Sequence, residues 1–215
     1  MTLDAVKVSG ADFDGILAEK TSGLTVENSS FTDNGFKTID KSAPLLSSGV
    51  HSLVSQAFAI SLFGVSHSTV KNNRVFDNGR GGIGVMDNGP NDPGAITQSP
   101  AAPLLGSTDD TITGNKAWKD YNGCGIVIAI QNFRGSLSHI VVTRNTITGA
   151  GTSTLGGPVR GGFVVAADLP DSTVSDVIVS GNTVRDSWEG GLIVNAEAPI
   201  FFDPKHTSYP QYCRK

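Results

Sequence analysis

The residues of this sequence best suited to chemistry are acidic side chains that follow a repeated apolar pattern. Five glycines each precede an alternating apolar run, as in Gly125-Ile126-Val127-Ile128. Side chains of a strand alternate between its two faces, so the sixth residue after each glycine should point away from the core. These outward residues are Thr21, Asn88, Gln131, Asp168 and Glu197.

Asp168 and Glu197 end this column. On neighbouring repeats they would lie about 5 Å apart at the backbone. Carboxyls at such spacing suit a retaining glycosidase, and a wider pair suits an inverting one. Their proximity would raise the pKa of one carboxyl, as a general acid needs, and with carbonyl oxygens they could hold Ca²⁺. The alternative is a solvated polar column at the strand ends.

Asp87 is a third acid near the same face. It lies one position before the outward column, in the inward phase of Ile130 and Ala167, where a lone carboxylate would be costly. We therefore expect the strand to end early, so that Asp87 turns toward the following loop. Asp87, Asp168 and Glu197 form the predicted catalytic set.

Sugar binding is predicted for a second outward column, which contains Phe76 and Trp118 on adjacent repeats. Their flat rings could stack on sugar rings, and the alternative is packing beneath a neighbouring loop. Arg134, in or beside a loop, could pair with the carboxylate of a uronic acid, although plain solvation is its default role. Gln131 completes the predicted substrate-binding set.

Other chemistry is poorly represented in the sequence. The four histidines show no metal-ligand spacing, and neither a Gly-x-Ser-x-Gly elbow nor a phosphate-binding loop is present. We predict no resident metal or cofactor, with Ca²⁺ as the one alternative. Cys124 is expected to be a small buried residue, and a disulfide with Cys213 is left open.

The element that must position these residues is a short repeat. An apolar residue is followed three positions later by a small polar residue, and two later by another apolar one. The polar residues are Ser29, Asn73, Asn115, Asn145 and Asn182. Asn tolerates left-handed turns, and stacked Asn side chains about 4.8 Å apart can bond along the stack. The pattern predicts a structural ladder rather than a catalytic row.

The spacing of the repeat predicts where loops are inserted. Successive polar residues are 44, 42, 30 and 37 positions apart (73−29, 115−73, 145−115 and 182−145). Three short strands need fewer residues, so the surplus lies in loops, and 49–66 is expected to supply an extra coil. Insertions 41–49, 88–107, 131–137 and 168–173 are predicted to follow the glycine-plus-apolar strand and to gather on one face.

The stretches ITGNKAW (112–118), VTRNTIT (142–148) and VSGNTVR (179–185) resemble right-handed parallel β-helix repeat proteins, the group that includes pectin-lyase-like folds. The resemblance spans roughly residues 3–197. It implies an all-β, right-handed parallel β-helix of about six coils with loops clustered on one face. We assign residues 1–200 to this domain and 201–215 to a C-terminal cap or tail.

Function is less determined, because the group includes hydrolases, lyases, epimerases, adhesins and non-enzymatic proteins. The paired aspartates and Gly-His-Gly of polygalacturonase-like members are not reproduced. We predict a polysaccharide hydrolase or lyase acting on an extended glycan. The alternatives are a non-catalytic glycan-binding, adhesin-like or structural module, and a small-molecule cyclase or isomerase. Substrate, linkage and oligomeric state stay open.

The composition of the chain limits the classes of partner that it is expected to bind. The net charge is −4 and no basic cluster is present, which argues against nucleic acid, and no apolar run is long enough to span a membrane. The resemblance implies export, yet the start, MTLDAVKVSG, shows no signal-peptide pattern. No capping helix is predicted before Leu3, so the chain is a candidate piece of a longer protein.

Overall fold

The computed structural model describes residues 1–35, 58–79, 81–88, 105–120, 123–130, 134–150, 161–167, 172–187 and 190–195. Their strands wind through six successive coils, each contributing to three parallel sheets that we name A, B and C. All pairings between these strands are parallel. The predicted all-β solenoid of about six coils is therefore confirmed.

The strands are short, mostly three to six residues, because each coil bends at a corner after every strand. Coils 1 to 3 contain β1 (Thr2–Asp4), β2 (Lys7–Ser9), β3 (Ile16–Glu19), β4 (Thr25–Glu27), β5 (Ser30–Thr32), β6 (Phe58–Phe63), β7 (Thr69–Lys71), β8 (Arg74–Phe76) and β9 (Gly81–Met86). Coils 4 to 6 contain β10 (Ser107–Thr108), β11 (Thr111–Thr113), β12 (Lys116–Trp118), β13 (Ile126–Ala129), β14 (Ser136–Thr143), β15 (Thr146–Thr148), β16 (Gly161–Ala166), β17 (Thr173–Ser180), β18 (Thr183–Arg185) and β19 (Gly190–Asn195).

The three sheets follow the coil order. Sheet A holds β1, β4, β7, β11, β14 and β17, with β10 also pairing with β14. Sheet B holds β2, β5, β8, β12, β15 and β18, and sheet C holds β3, β6, β9, β13, β16 and β19. Residues at equivalent positions of successive coils therefore stack in columns along the axis.

Sharp corners are made by residues with a left-handed backbone. Between sheets A and B this position is taken by Ala5, Asn28, Asn72 and Arg144, with φ of 53°, 50°, 55° and 56°, and by two glycines. Asn adopts this region more readily than most side chains do, which explains its frequency here. The corner directs the next residue into the interior.

The residue after this corner builds the predicted ladder. The Asn115 backbone N–H and side-chain amide both donate to Oδ1 of Asn145, at 2.9 and 3.0 Å. The same Asn115 amide also donates to the Val70 carbonyl of the preceding coil, at 2.9 Å. Asn73 and Asn145 repeat both parts of this pattern. Asn182, on coil 6, donates to the Val142 carbonyl of the preceding coil. The hydrogen-bonded Asn ladder is confirmed, and it satisfies buried backbone groups that the bend leaves unpaired. The left-handed backbone by which the sequence analysis explained these asparagines belongs instead to the residue before each of them.

A second ladder crosses the corner between sheets B and C. The Asn34 amide donates to Asn78 Oδ1 at 3.1 Å, and the Asn78 amide donates to Asp120 Oδ1 at 3.4 Å. All three side chains are buried. The two ladders thus connect successive coils at both edges of sheet B.

The interior is filled by the apolar residues that alternate along the strands. Ile60, Ile83, Ile126 and Phe163 stack in register and are fully buried. The alternation predicts inward side chains at Ile83, Val85, Ile126, Ile128, Phe163, Val165, Leu192 and Val194. The first five lie in one core cluster and Val165 packs against it, which confirms their inward phase. Leu192 and Val194 of coil 6 are exposed, since only one side of that coil contacts another described coil.

The glycine that opens most sheet C strands is explained by close approach between coils. A Cβ on Gly82 would lie 2.3 Å from the Gly125 carbonyl oxygen, and one on Gly162 would lie 2.1 Å from Val184 Cγ1. No side chain fits at either position. Glycine here is a packing requirement of the second corner.

Two predictions about the loops are wrong. Strand β6 is the sheet C strand of coil 2, paired with β3 and β9, so 49–66 supplies no extra coil. The insertion 41–49 lies between β5 and β6, before the sheet C strand instead of after it. Segments 36–57 and 151–160 precede sheet C strands, whereas 89–104, 131–133 and 168–171 follow them. Insertions therefore border sheet C at both of its edges.

Candidate functional site

The predicted aromatic pair lies on the outer face of sheet B. Phe76 and Trp118 are aligned in register between β8 and β12, as their spacing predicted. Their rings stack on each other, with centroids 4.6 Å apart and planes inclined by 8°. Both side chains are half-buried. Each ring therefore covers part of the other, whereas the sequence analysis predicted two rings that are both open to sugars.

Arg74 adds a cation to this stack. Its guanidinium carbon is 5.6 Å from the centroid of the Trp118 ring, within the range of a cation–π interaction. Phe76 and Arg74 both belong to β8, so they approach the indole from the side of coil 3. The side of Trp118 that faces coil 5 has the smaller Thr148 as its register neighbour.

The charged side chains on the strands of sheet B are all basic. The six strands of sheet B read KVS, SFT, RVF, KAW, TIT and TVR, and they contain no Asp or Glu. Within the part of the chain that the structure describes, no salt bridge joins their basic side chains to an acid. The exposed bases are Lys7, Arg74, Lys116 and Arg185.

Acids border this face at its edge with sheet C. Asp33, Asp77 and Asp186 occupy the left-handed corner that follows β5, β8 and β18, with φ of 56°, 54° and 54°. Lys119 occupies the equivalent corner of coil 4. Cations on the sheet and carboxylates along one border limit the positive field to the strands themselves.

Asp87 lies elsewhere, at the corner that follows sheet C. Strand β9 ends at Met86, so the strand does end early as predicted. Asp87 itself is only 1 % exposed, which differs from a side chain turned out toward a loop. Asn88 follows and pairs with Leu105 in an antiparallel bridge, which closes the base of the 89–104 segment.

Arg134 is exposed at the corner before β14, with φ of 61°. It shares that side of the solenoid with Asp87, while Phe76 and Trp118 are on sheet B. The structure thus separates the predicted aromatic binders from the one predicted acid that it describes. Gln131, Asp168 and Glu197 lie outside the described residues, and their roles stay predictions.

One acidic group was missed by the sequence analysis. Asp14 precedes β3, and its Oδ1 accepts hydrogen bonds from the Phe58 backbone N–H, at 3.0 Å, and from the Ser61 hydroxyl. Burial raises the pKa of Asp14 to about 6; these hydrogen bonds lower it, and the charge of Glu19 raises it further. Nothing in the local sequence marks it, because Phe58 and Ser61 are 44 and 47 positions away.

Glu19 ends the same strand and contacts Asn88, which precedes the other long insertion. The Asn88 amide donates to Glu19 Oε1 at 3.4 Å. Asn88 is the last described residue before 89–104, and Phe58 is the first described residue after 36–57. Asp14 and Glu19 therefore each contact the base of one insertion, at the coil 1 end of sheet C.

Two further carboxyls are buried at corners of the coils. Asp110 Oδ1 accepts the Ser68 backbone N–H at 2.8 Å, and burial raises the pKa of Asp110 to about 6. Asp120 is completely enclosed, and burial raises its pKa well above the ordinary value. The second oxygen of each carboxyl has no hydrogen-bond partner. Asp120 occupies the position that Asn34 and Asn78 take on other coils, and Asp110 accepts a backbone N–H of the preceding coil, so both acids have a structural role.

The histidines that the structure describes form exposed pairs with acids on neighbouring coils. His67 Nε2 is 3.7 Å from Asp109 Oδ2, and His139 Nε2 is 3.7 Å from Asp176 Oδ2. Across the described ranges, no group of three or more His, Cys, Asp or Glu side chains is arranged to hold a metal ion. The described residues also contain no helix long and apolar enough to cross a membrane.

Cys124 opens sheet C in coil 4 and is buried. It is disulfide-bonded. The other cysteine of the sequence, Cys213, lies outside the described residues. The predicted burial of Cys124 is confirmed, and its thiol is not free.

Comparison with protein-family models adds one finding to this geometry. A model described as a right handed beta helix region matches residues 1–203. This chain belongs to the right-handed β-helix family. The hand of the solenoid and the repeat identity are thereby shown, in agreement with the resemblance. No curated protein and no solved structure matches the sequence of this β-helix protein.

Proposed function

We propose that this β-helix protein binds an extended acidic glycan along the outer face of sheet B. The observation that carries the proposal is the combination of four exposed bases with a stacked aromatic pair, on strands that contain no carboxylate. The whole chain has a net charge of −4, so this local excess of positive charge runs against its composition. A solenoid also presents an extended surface suited to a polymer.

The spacing of the bases suits repeated negative charges. Arg74 and Lys116 are register partners on adjacent coils, about 4.8 Å apart at the backbone. Lys7 is in the same column two coils from Arg74, about 10 Å away. A polymer lying along the solenoid axis would meet a base at each of these intervals. Arg is also suited to bidentate pairing with a carboxylate.

The aromatic stack supplies a flat apolar contact in the middle of this row. Phe76 and Arg74 occupy the coil 3 side of Trp118, and the smaller Thr148 on coil 5 leaves part of the opposite ring face uncovered. The apolar face of a sugar ring can rest on such a surface. Trp118 is therefore the central binding residue of this proposal.

A pair of matched double variants tests the site. Arg74→Gln with Lys116→Gln removes two charges from sheet B and should weaken binding to a polyuronate about tenfold, since exposed charged contacts contribute up to about 1 kcal/mol each. Lys20→Gln with Arg144→Gln removes two exposed corner charges and should leave the affinity within about twofold. Titration calorimetry at two salt concentrations measures both.

The proposal predicts a second signature, namely that raising the salt concentration weakens binding of the unsubstituted protein. Equal losses in the two double variants would indicate a general charge effect and contradict a site on sheet B. Binding to neutral and acidic polysaccharides with equal affinity would contradict the acidic class. Trp118→Ala should weaken binding even at high salt.

Polysaccharide cleavage, by hydrolysis or lysis, is the second candidate, and Asp14 favours it. A carboxyl with a pKa of about 6 is partly protonated near neutral pH and can serve as a general acid. Glu19 would act as the base or nucleophile, beside the bases of the two insertions. Asp87, Asp168 and Glu197 form the rival catalytic set inferred from sequence.

Turnover on a panel of neutral and uronic-acid polysaccharides, with and without Ca²⁺, tests this candidate. New reducing ends with unsaturated-uronate absorbance would mean lyase, and reducing ends alone would mean hydrolase. Asp14→Asn should abolish turnover if Asp14 is the acid, and Glu197→Gln should do so if the rival set is used. No turnover by folded protein that still binds the polymer would leave binding as the function.

A further inference from the structure

On the outer face of sheet B, coil 5 forms a gap between the longer side chains of its two neighbours. Its strand β15 presents Thr146 and Thr148 outward, and the corner residue that follows is Gly149. The register neighbours of Thr148 are Trp118 on coil 4 and Arg185 on coil 6. A small side chain therefore separates an indole ring from a guanidinium group. We name this gap the coil 5 slot.

The indole presents one of its faces to the slot. Phe76 lies on the coil 3 side of Trp118, with ring centroids 4.6 Å apart and planes inclined by 8°. Because stacked carbon atoms approach no closer than about 3.5 Å, the normal to the Trp118 ring lies within about 40° of the line between the centroids. That line runs close to the solenoid axis, since the two residues are register partners on adjacent coils. The second face of the indole is therefore directed toward coil 6.

The slot is wide enough for one ring. Trp118 and Arg185 are two coils apart, which is about 10 Å at the backbone. A flat ring in contact with groups on both sides needs about 7 Å, or two van der Waals separations. The long Arg185 side chain can close the remaining margin by a change of rotamer. A ring in the slot would have the indole on one face and the guanidinium on the other.

The direction of the slot decides how a sugar chain can use it. With both faces of the bound ring in contact, the chain can leave that ring only by its edge, through the open mouth of the slot. The bases Lys7, Arg74 and Lys116 lie on coils 1 to 4, all on one side of the slot. We infer that the coil 5 slot holds the terminal residue of the acidic glycan, and that the chain runs from it over those bases.

This inference rests on the proposed function, and it adds that sheet B binds the end of a chain instead of its middle. An internal residue would need two exits from the slot, one for each glycosidic bond. The second half of such a chain would lie beyond the slot, away from Lys7, Arg74 and Lys116. One exit is enough for a terminal residue, in agreement with bases on one side only.

The groups around the slot suit a uronic acid as that terminal residue. Arg185 is exposed, and its guanidinium can pair with a carboxylate through two parallel hydrogen bonds. The hydroxyls of Thr146 and Thr148 can exchange hydrogen bonds with sugar hydroxyls. A neutral sugar would use only these hydroxyls and the indole face, so a terminal carboxylate should bind more tightly.

The stoichiometry of binding tests the inference on the full chain. Two fractions of polyglucuronate that differ fourfold in mean length are titrated against the protein by calorimetry at low salt. Recognition of the end predicts one protein bound per polymer chain for both fractions. Recognition along the chain predicts about four times as many proteins on each longer chain, because binding sites then increase with length.

Two matched variants locate the bound end. Thr148→Phe places a ring in the slot, against the free face of Trp118, and should weaken binding by about tenfold or more. Thr32→Phe is the control, because Thr32 is the register partner of Phe76 at the opposite end of the aromatic stack. It adds the same ring outside the slot and should leave the affinity within about twofold.

Each contrary result has a distinct meaning. A stoichiometry that rises with chain length would overturn recognition of the end and leave binding on sheet B intact. An unchanged affinity in Thr148→Phe would place the chain outside the slot and would also overturn the inference. No binding of either fraction by folded, unsubstituted protein would overturn the proposed function as well. If Thr148→Phe does not fold, the stoichiometry of the unsubstituted protein decides between the two modes.

Discussion

Sheets B and C share the same coils but present opposite outer faces. On sheet B the outward side chains are hydroxyls, four bases and two aromatic rings, all at least partly exposed. On sheet C the outward side chains of coils 3 to 5 are small or apolar and buried. The inner faces of both sheets pack into one core.

The difference shows that separate sheets of one solenoid can serve separate functions. Inward columns must be apolar on every sheet, because the coils stack at one fixed spacing around a shared core. Outward columns are free of that constraint, so each sheet can take a separate role. The outer face of sheet B is open and basic, whereas that of sheet C is buried in coils 3 to 5.

The largest effect is expected from placing a charge on each face within one coil. Val164→Asp on sheet C should reduce the free energy of unfolding by about 4 kcal/mol, because the carboxylate would be buried without a partner. Thr146→Asp on sheet B should change it by less than about 0.5 kcal/mol, since that side chain is exposed. Urea unfolding compares the two variants, and equal losses would break the contrast between the sheets.

An intermediate effect is expected at the corner that joins the two sheets, where Asp120 ends the second ladder. Its pKa in the folded protein is raised, so the folded state keeps a proton that the unfolded chain releases above about pH 4. Stability should therefore fall as the pH rises from about 4. Asp120→Asn removes this loss and should stabilise the protein at pH 7, by less than Val164→Asp destabilises it.

Unfolding measured at pH 4 and pH 7 checks this prediction, with Asp33→Asn at an exposed corner as the control. The Asp120 variant should differ from the unsubstituted protein at pH 7 and much less at pH 4. Some pH dependence between about 4 and 6 should persist in the variant, because the pKa values of Asp14 and Asp110 are also raised, to about 6. A variant less stable at pH 7 would contradict the assignment.

The smallest effect concerns the aromatic stack on sheet B. Phe76→Leu, Trp118→Leu and the double variant form a cycle that isolates the interaction between the two rings. We expect a coupling free energy of about 1 kcal/mol, typical of stacked aromatic pairs. Thermal or urea unfolding provides the values. Additive effects on the free energy of unfolding would mean that the two rings do not stabilise each other. That result would contradict a preformed stacking surface on sheet B.

Much of the fold could be predicted because it is repeated. The Asn ladder, the inward phase of the sheet C strands and the pairing of Phe76 with Trp118 all follow from counting positions between coils. The second ladder was harder to find, because its third member is Asp120 instead of asparagine. Asp14 could not be found at all, since its partners lie one coil away across an insertion.

The sequence by itself determined the period, the inward columns and the Asn ladder, because these depend on regular spacing and strand alternation. The tertiary structure decided which outward side chains stay open and which are covered. It stacked the two aromatic rings on each other, buried Asp87 and enclosed the outer face of sheet C. The physical reason is that burial on an outer face depends on what lies over it, and alternation along a strand carries no information about that cover.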